Sequence, residues 1–144
     1  VSEKEALSVV SGYCIVNDIS EREFQFDHGG QWIKGKSAPT FGPIGPFLVT
    51  KDEIPDPQNL TLSLTLNGST VQDSNTSDMI FSVRQIIAHL TQFMELRAGD
   101  IIATGTPEGV GNGMKPPTFL QAGDVMEVEI EHLGSQKQEV VDFS

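Results

Sequence analysis

Glycine and proline divide this chain into short segments. They are concentrated in residues 27–46 and again in residues 105–113. Because proline lacks a backbone N–H and glycine lowers the stability of helices and strands, neither stretch can hold long regular structure. A loop of about twenty residues inside a compact domain usually serves a function. The sequence therefore predicts functional groups on two loops, held between short elements.

The segments outside these loops have strand patterns more often than helix patterns. Asn67-Gly68 is a hairpin signal, and the alternation of valine, methionine and isoleucine with glutamate after Asp124 is typical of a half-buried strand. Strands are predicted at residues 13–16, 47–49, 60–65, 101–104, 125–131 and 139–143. Since regularly spaced helices do not separate these strands, the pattern indicates an α+β, mainly β fold.

Helices are predicted where a serine is followed three residues later by glutamate or glutamine, the capping-box pattern. Ser2, Ser20 and Ser82 begin such segments, and the first is expected to cover residues 3–10. The last has apolar residues at helical spacing, which we expect to lie in the core. These residues are Ile86, Ile87, Leu90, Phe93 and Met94.

The net charge of -11 excludes some classes of partner. Binding to a nucleic-acid backbone is driven by clustered Lys and Arg, which this composition does not favour. No apolar run approaches the roughly 20 residues that cross a bilayer, and the N-terminus has no signal-peptide pattern. We therefore expect a cytoplasmic protein without nucleic-acid or membrane partners.

Residues 30–37 match the pattern of a phosphate-binding loop. Such a loop must lead into a helix whose first amides hold the phosphates, and Pro39 and Pro43 prevent that helix here. Nucleotide binding is therefore not expected. The alternating Glu127, Glu129 and Glu131 could bind a hard cation, but a solvated strand face explains them without any partner.

Asp18 follows a buried apolar strand, and the two glycine-rich loops place Lys36, Ser37, Gly105 and Thr106 within possible reach of it. A carboxylate, a fixed cation and two such loops could together hold a metal ion and an anionic substrate. An aspartate at a strand end can instead cap its own turn. Both interpretations are open at this level.

Six ordered motifs resemble those of the fumarylacetoacetate hydrolase family. They are Asn-Asp-Ile-Ser-Glu-Arg-Glu-Phe-Gln at 17–25, Gly-Lys-Ser at 35–37, Gly-Pro-Ile-Gly-Pro at 42–46, Asp-Pro-Gln-Asn-Leu at 56–60, Asp-Met-Ile-Phe at 78–81 and Gly-Thr-Pro at 105–107. The resemblance covers nearly the whole chain and implies a mixed β-sandwich roll, usually dimeric. Residues 1–144 would then be one catalytic domain whose N-terminal portion is missing.

The resemblance also implies a Mg²⁺ or Mn²⁺ ion held by three carboxylates, of which Asp18 matches the last. The other two, a Glu-x-Glu, and a His–Glu pair that serves as base would precede Val1. Lys36 and Gln25 match catalytic groups, and Arg22, Lys36, Gly105 and Thr106 match substrate-binding groups. Two hypotheses follow, an enzyme and a non-catalytic fragment that keeps only the fold.

For the enzyme, the resemblance implies hydrolysis of a carbon–carbon bond in a small, anionic 2,4-dioxo acid, which releases a 2-oxo acid. Decarboxylation, isomerisation and lyase reactions on 2-oxo acids are the alternatives in the same family. Residues 28–32, 114–117 and 134–141 are similar to a subgroup of 2,4-diketo-3-deoxy-sugar-acid hydrolases, often labelled ureidoglycolate lyases.

Overall fold

The computed structural model describes residues 1–142, in which short strands form two antiparallel sheets. The strands are β1 (Gly12–Val16), β2 (Ile44–Thr50), β3 (Thr61–Leu66), β4 (Ser69–Asn75), β5 (Val125–Ile130) and β6 (Gly134–Glu139). The α-helices are α1 (Arg22–Phe26) and α2 (Val83–Leu90). Short 3₁₀ segments occur at Ala6–Val9, Trp32–Gly35, Lys51–Glu53, Thr76–Asp78 and Gly111–Gly113. The α+β, mainly β class expected from the sequence is confirmed.

A tight hairpin joins β3 to β4 in the larger sheet, whose strand order is β4-β3-β5-β6. Asn67 and Gly68 both have positive φ, 51° and 79°, as the common two-residue hairpin turn requires. The Asn67 side chain donates to Asp124 Oδ1 at 2.8 Å and accepts from the Val125 N–H at 2.9 Å. The hairpin is thereby tied to the first residue of β5.

The core lies between the two sheets. Met126 and Val128 of β5 are 5% and 7% exposed, whereas Glu127 and Glu129 point to solvent, so the predicted alternation is confirmed. Val128 belongs to one apolar cluster with the fully buried Ile15 of β1. Burial of such a side chain contributes about 1.5–3 kcal/mol, and this packing places β1 and β2 against the β5–β6 side of the larger sheet.

The smaller sheet, β1 with β2, positions the residues that follow β1. Val16 pairs with Ile44 and Ile15 with Gly45, but the register shifts between Tyr13 and Ile15. Pro46 has no N–H to donate to the ladder, which accounts for an interruption at this place. The chain therefore leaves β1 beside the start of β2 and the end of the first glycine-rich loop.

Helix α2 is confirmed with its cap, since Ser82 and Gln85 form the reciprocal capping box. The core expected along it is confirmed only in part. Ile87 is 5% exposed, but Phe93 and Met94 are 70% and 53% exposed. The helix ends at Leu90, and Phe93 and Met94 lie in the turns that follow it.

Two predicted strands are wrong. Residues 101–104 form no strand, and the last strand is β6, which overlaps the predicted 139–143 only at Glu139. The sequence did not predict β6, because its side chains are mostly polar and show no apolar alternation. The strand forms because its backbone pairs with β5 from Gly134 onward. Phe143, at the end of the predicted strand, lies outside the described residues.

The first two helices differ from their predicted limits. A 3₁₀ turn at Ala6–Val9 replaces the expected helix over 3–10. Helix α1 is capped by Glu21, whose side chain accepts from the backbone N–H groups of Glu23 and Phe24, rather than by Ser20. Among the residues that the structure describes, no helix combines the length and the apolar character needed to cross a bilayer.

Candidate active site

Asp18 lies just beyond the C-terminal end of β1, where the backbone turns. The Asn17 N–H donates to the Pro43 carbonyl at 3.1 Å, and the Ile19 N–H donates to the Asn17 carbonyl at 2.9 Å. The Asp18 carboxylate is 52% exposed. Within residues 1–142 its hydrogen bond comes from Lys36 and not from its own turn, so the turn-capping interpretation does not hold.

Lys36 reaches Asp18 from the first glycine-rich loop. Its ammonium lies 2.7 Å from Asp18 Oδ2 and 2.6 Å from Ser20 Oγ, and its side chain is 24% exposed. Ser20 Oγ in turn donates to the Asp18 carbonyl at 3.1 Å. The Trp32–Gly35 segment holds the lysine, since the Lys36 N–H closes it on the Ile33 carbonyl. The predicted proximity of these loop and strand-end residues is therefore present.

Gln25, on α1, is fully buried, and only one of its two side-chain polar atoms has a hydrogen-bond partner among the described residues. Its Oε1 accepts from Arg22 Nη1 at 2.6 Å, while its Nε2 has no hydrogen-bond partner among the described residues. Gly35 packs directly against Gln25 and Glu21, where a Cβ atom would overlap both residues. An unsatisfied buried donor costs about 1–3 kcal/mol. The Gln25 amide is thus a buried donor left unsatisfied among the described residues.

Thr106 is held from the larger sheet. The buried Gln72 of β4 donates from Nε2 to Thr106 Oγ1 at 2.9 Å and to the Pro107 carbonyl at 3.0 Å. Gly105 has a φ of 112°, a conformation that favours glycine. Within residues 1–142, no hydrogen bond or ion pair links Gly105 or Thr106 to the Asp18–Lys36 pair. Gln72 was not predicted, although a glutamine at an inward position of a strand was the available signal.

The chemistry of Asp18 fits one ligand of a hard cation, because an exposed carboxylate oxygen is what Mg²⁺ and Mn²⁺ prefer. Over the described part of the chain, no group of three or more His, Cys, Asp or Glu residues is arranged to hold a metal ion. The residues present could thus provide a single carboxylate of a shared site. A cleft of about 360 Å³ near Asp56 and Arg84 contains none of the predicted site residues.

The phosphate-loop-like segment and the glutamate row each have a local structural explanation. Residues 30–37 lead into bends and turns rather than a helix, and the Lys36 ammonium is directed to Asp18. The glutamates of the strand face are exposed: Glu127 pairs with Lys137 at 2.6 Å, and Glu131 accepts from the Thr61 N–H at 3.1 Å.

Comparison with known proteins decides the family. A family profile described as fumarylacetoacetate (FAA) hydrolase, C-terminal, matches residues 1–141. The chain belongs to the fumarylacetoacetate hydrolase family. A protein of Burkholderia lata named "Putative hydrolase" is 55% identical over 143 residues, which are 99% of this chain and 51% of that protein. The chain thus spans about half the length of the curated relatives it matches.

Solved structures of the fumarylacetoacetate hydrolase family share the fold. Fumarylacetoacetate hydrolase from the psychrophile Exiguobacterium antarcticum is 42% identical with a TM-score of 0.95, over 99% of this chain and 51% of that chain. Maleylpyruvate hydrolase from Sphingobium sp. SYK-6, in complex with manganese(II) and pyruvate, is 35% identical with a TM-score of 0.84, over 98% and 48%. The expected family and fold are confirmed, whereas the sugar-acid subgroup and the residue roles stay predictions.

Proposed function

We propose that the protein is a divalent-metal-dependent hydrolase that cleaves a carbon–carbon bond in a small 2,4-dioxo acid and releases a 2-oxo acid. The observation that carries this proposal is the 2.7 Å approach of the Lys36 ammonium to the exposed Asp18 carboxylate. The pair combines an oxygen ligand with a fixed positive charge. Support comes from the related maleylpyruvate hydrolase, whose structure contains manganese(II) and pyruvate, a 2-oxo acid.

Asp18 would be the residue of this chain that holds Mg²⁺ or Mn²⁺. Such an ion, when bound, polarises the oxygen atoms of a 2-oxo acid as a Lewis acid. The resemblance described above assigns the remaining carboxylates to a Glu-x-Glu that precedes Val1. Asp18 is well suited to share an ion with them, because half of its surface is open.

Lys36 would stabilise the charge that develops when the bond breaks. In hydrolysis a water oxygen adds to the C4 carbonyl and the C3–C4 bond breaks. The electron pair of the C3–C4 bond passes into the enolate of the 2-oxo acid, and C3 is then protonated. An ammonium fixed beside the enolate oxygen stabilises the negatively charged enolate more than it stabilises the neutral ketone. The same resemblance assigns the role of the base, which takes the proton from water, to the His–Glu pair expected before Val1.

Gln25 and Arg22 would complete the substrate contacts on this side. Arg22 holds Gln25 Oε1 at 2.6 Å, and Gln25 Nε2 has no partner among the described residues. Because Gln25 is fully buried, a substrate oxygen would reach Nε2 only after the side chains around it move. Gly105 and Thr106 are proposed to contact the substrate from the second loop. In a chain with a net charge of -11, local cations are needed to attract an anion, and Lys36 and Arg22 supply them.

Isomerisation is the second candidate reaction. A solved 2-hydroxyhepta-2,4-diene-1,7-dioate isomerase from Mycobacterium marinum is 39% identical, with a TM-score of 0.86 over 98% of this chain and 52% of that chain. Hydrolysis consumes water and yields two acids, whereas isomerisation conserves the mass of the substrate. Mass analysis of the products therefore separates the two. The homodimer and the cytoplasmic location remain predictions.

The proposal is tested in the complete protein with Mn²⁺ and a series of acylpyruvates, by measuring pyruvate release. Asp18→Ala should lose Mn²⁺ binding and lower turnover by about 10²-fold or more, as expected for loss of a metal ligand. Asp73→Ala, at an exposed position of β4, is the matched control and should change neither. Turnover that survives Asp18→Ala, or no pyruvate from any acylpyruvate, would contradict the proposal.

A further inference from the structure

Gln136 of β6 connects the two sheets through its side chain. It is 8% exposed, and its Nε2 donates to the Gly45 carbonyl at 2.8 Å, the Ile15 carbonyl at 3.0 Å and the Pro43 carbonyl at 3.4 Å. Ile15 and Gly45 are partners in the β1–β2 ladder next to its interruption, and Pro43 directly precedes β2. A side-chain amide from the larger sheet thus donates to backbone carbonyls of the smaller sheet and of the loop that leads into it.

The orientation of the Gln136 amide determines the orientations of the Gln138 and Asn17 side-chain amides. Carbonyl oxygens only accept, so the NH₂ group of Gln136 must face them and its Oε1 must face away. That oxygen accepts from Gln138 Nε2 at 3.0 Å, and Gln138 Oε1 accepts from Asn17 Nδ2 at 3.1 Å. Gln136 and Gln138 lie two residues apart on one strand and therefore share the face toward β1. The result is a directional chain of three side-chain amides.

The last member of this chain directly precedes Asp18. Asn17 is held by its side chain through Gln138, by its N–H on the Pro43 carbonyl, and by its carbonyl, which accepts from Ile19. With all three groups engaged, the peptide that carries Asp18 has little freedom to rotate. Gln138, on a distant strand, is thus one of the groups that hold the residue directly before the exposed carboxylate.

We propose that Gln136, Gln138 and Asn17 act as positioning residues, an amide relay that sets Asp18 for metal binding. This inference rests on the proposed function, because it assumes that Asp18 is a metal ligand. Residues that orient a ligand typically affect metal affinity by about 10–100-fold when they are removed. Gln138 is the member to test, since it is only half-buried and its loss leaves the contacts of Gln136 with the strand carbonyls intact.

The experiment measures the Kd of Mn²⁺ by electron paramagnetic resonance, together with Tm, in the complete protein. Gln138→Leu and Asn17→Ala should each weaken Mn²⁺ binding by about tenfold with little change in Tm. The double variant should be no weaker than either single variant, because both changes break one connection. Gln92→Leu is the matched control, since Gln92 is exposed and its side chain donates to the Ala88 carbonyl at its own helix end.

The outcomes separate the relay from the proposed function. If Asp18→Ala abolishes Mn²⁺ binding but Gln138→Leu leaves the Kd unchanged, the relay is wrong and the metal site stands. If the effects of Gln138→Leu and Asn17→Ala on Kd are additive and Tm falls markedly, the amides are only structural contacts. That result would also overturn the inference. An unchanged Kd in Asp18→Ala would remove the metal site itself, and the relay with it.

Discussion

Lys36 and Asp18 are 18 residues apart in sequence, yet the lysine ammonium and the aspartate carboxylate lie 2.7 Å apart. The contact joins the first glycine-rich loop to the end of β1. A partly exposed ion pair of this kind contributes only about 0–1 kcal/mol to stability. Its arrangement therefore has more bearing on chemistry than on folding.

We expect Lys36→Met to lower kcat by about 10²–10³-fold, because a positioned positive charge beside a developing oxyanion is lost. Tm should change little, since the pair is worth little to folding. Activity with acylpyruvates and thermal unfolding are the measurements. Lys34→Met removes a nearby ammonium that donates to the His28 carbonyl instead, and it should keep full activity. Equal losses in both variants would contradict a specific role for Lys36.

Gln25→Met should separate stability from activity. The substitution removes a buried Nε2 that has no partner in the described chain, and this offsets the loss of the Arg22 contact. We expect the free energy of unfolding to stay within about 1 kcal/mol, while activity falls about tenfold or more.

Gln72→Met is the comparison for Gln25→Met. Gln72 is a buried glutamine whose donors are all engaged, so its loss should destabilise by about 1–3 kcal/mol. Chemical denaturation gives both values. A strongly destabilised Gln25→Met would show that its amide is satisfied in the complete protein without substrate.

Gly35→Ala tests the packing of the lysine loop on α1. The added Cβ would overlap the Glu21 carbonyl and lie 2.7 Å from Gln25 Cβ, so either the loop or the helix must move. We expect a destabilisation of about 1–3 kcal/mol together with reduced activity. Gly113→Ala is the control, because its nearest neighbour would be the Val110 Cγ2 at 3.7 Å. Equal unfolding free energies for the two variants would refute this packing argument.

Asp124 gives the stability of the hairpin a pH dependence. Hydrogen bonds from the Asn67 side chain and the Gln121 N–H lower the pKa of the Asp124 carboxyl below its ordinary value of 3.8. Because the folded pKa is lower, this stabilisation is present above pH 3.8 and is lost as pH falls through the folded pKa.

The Tm difference between the wild type and Asp124→Asn should therefore be positive at pH 6 and shrink below about pH 4. A constant difference for Asp124→Asn across this range would contradict the linkage.

Local signals determined much of the fold in advance. The Ser82–Gln85 capping box, the Asn67-Gly68 turn and the alternation along β5 each depend on interactions within a few residues, and each is present. The same applies to Asp18, since a carboxylate after a buried strand and a lysine in a functional loop could be named from their positions. Such features need no knowledge of distant parts of the chain.

Tertiary structure alone decided the rest. Strand β6 forms because its backbone pairs with β5, although its sequence lacks the apolar pattern of a strand. Gln136 lies in the interior because its amide donates to the carbonyls of Ile15 and Gly45. These residues are more than ninety positions away in sequence, and only the fold brings them close. Backbone pairing and buried amide contacts depend on which segments meet in space, and no local pattern of side chains encodes that meeting.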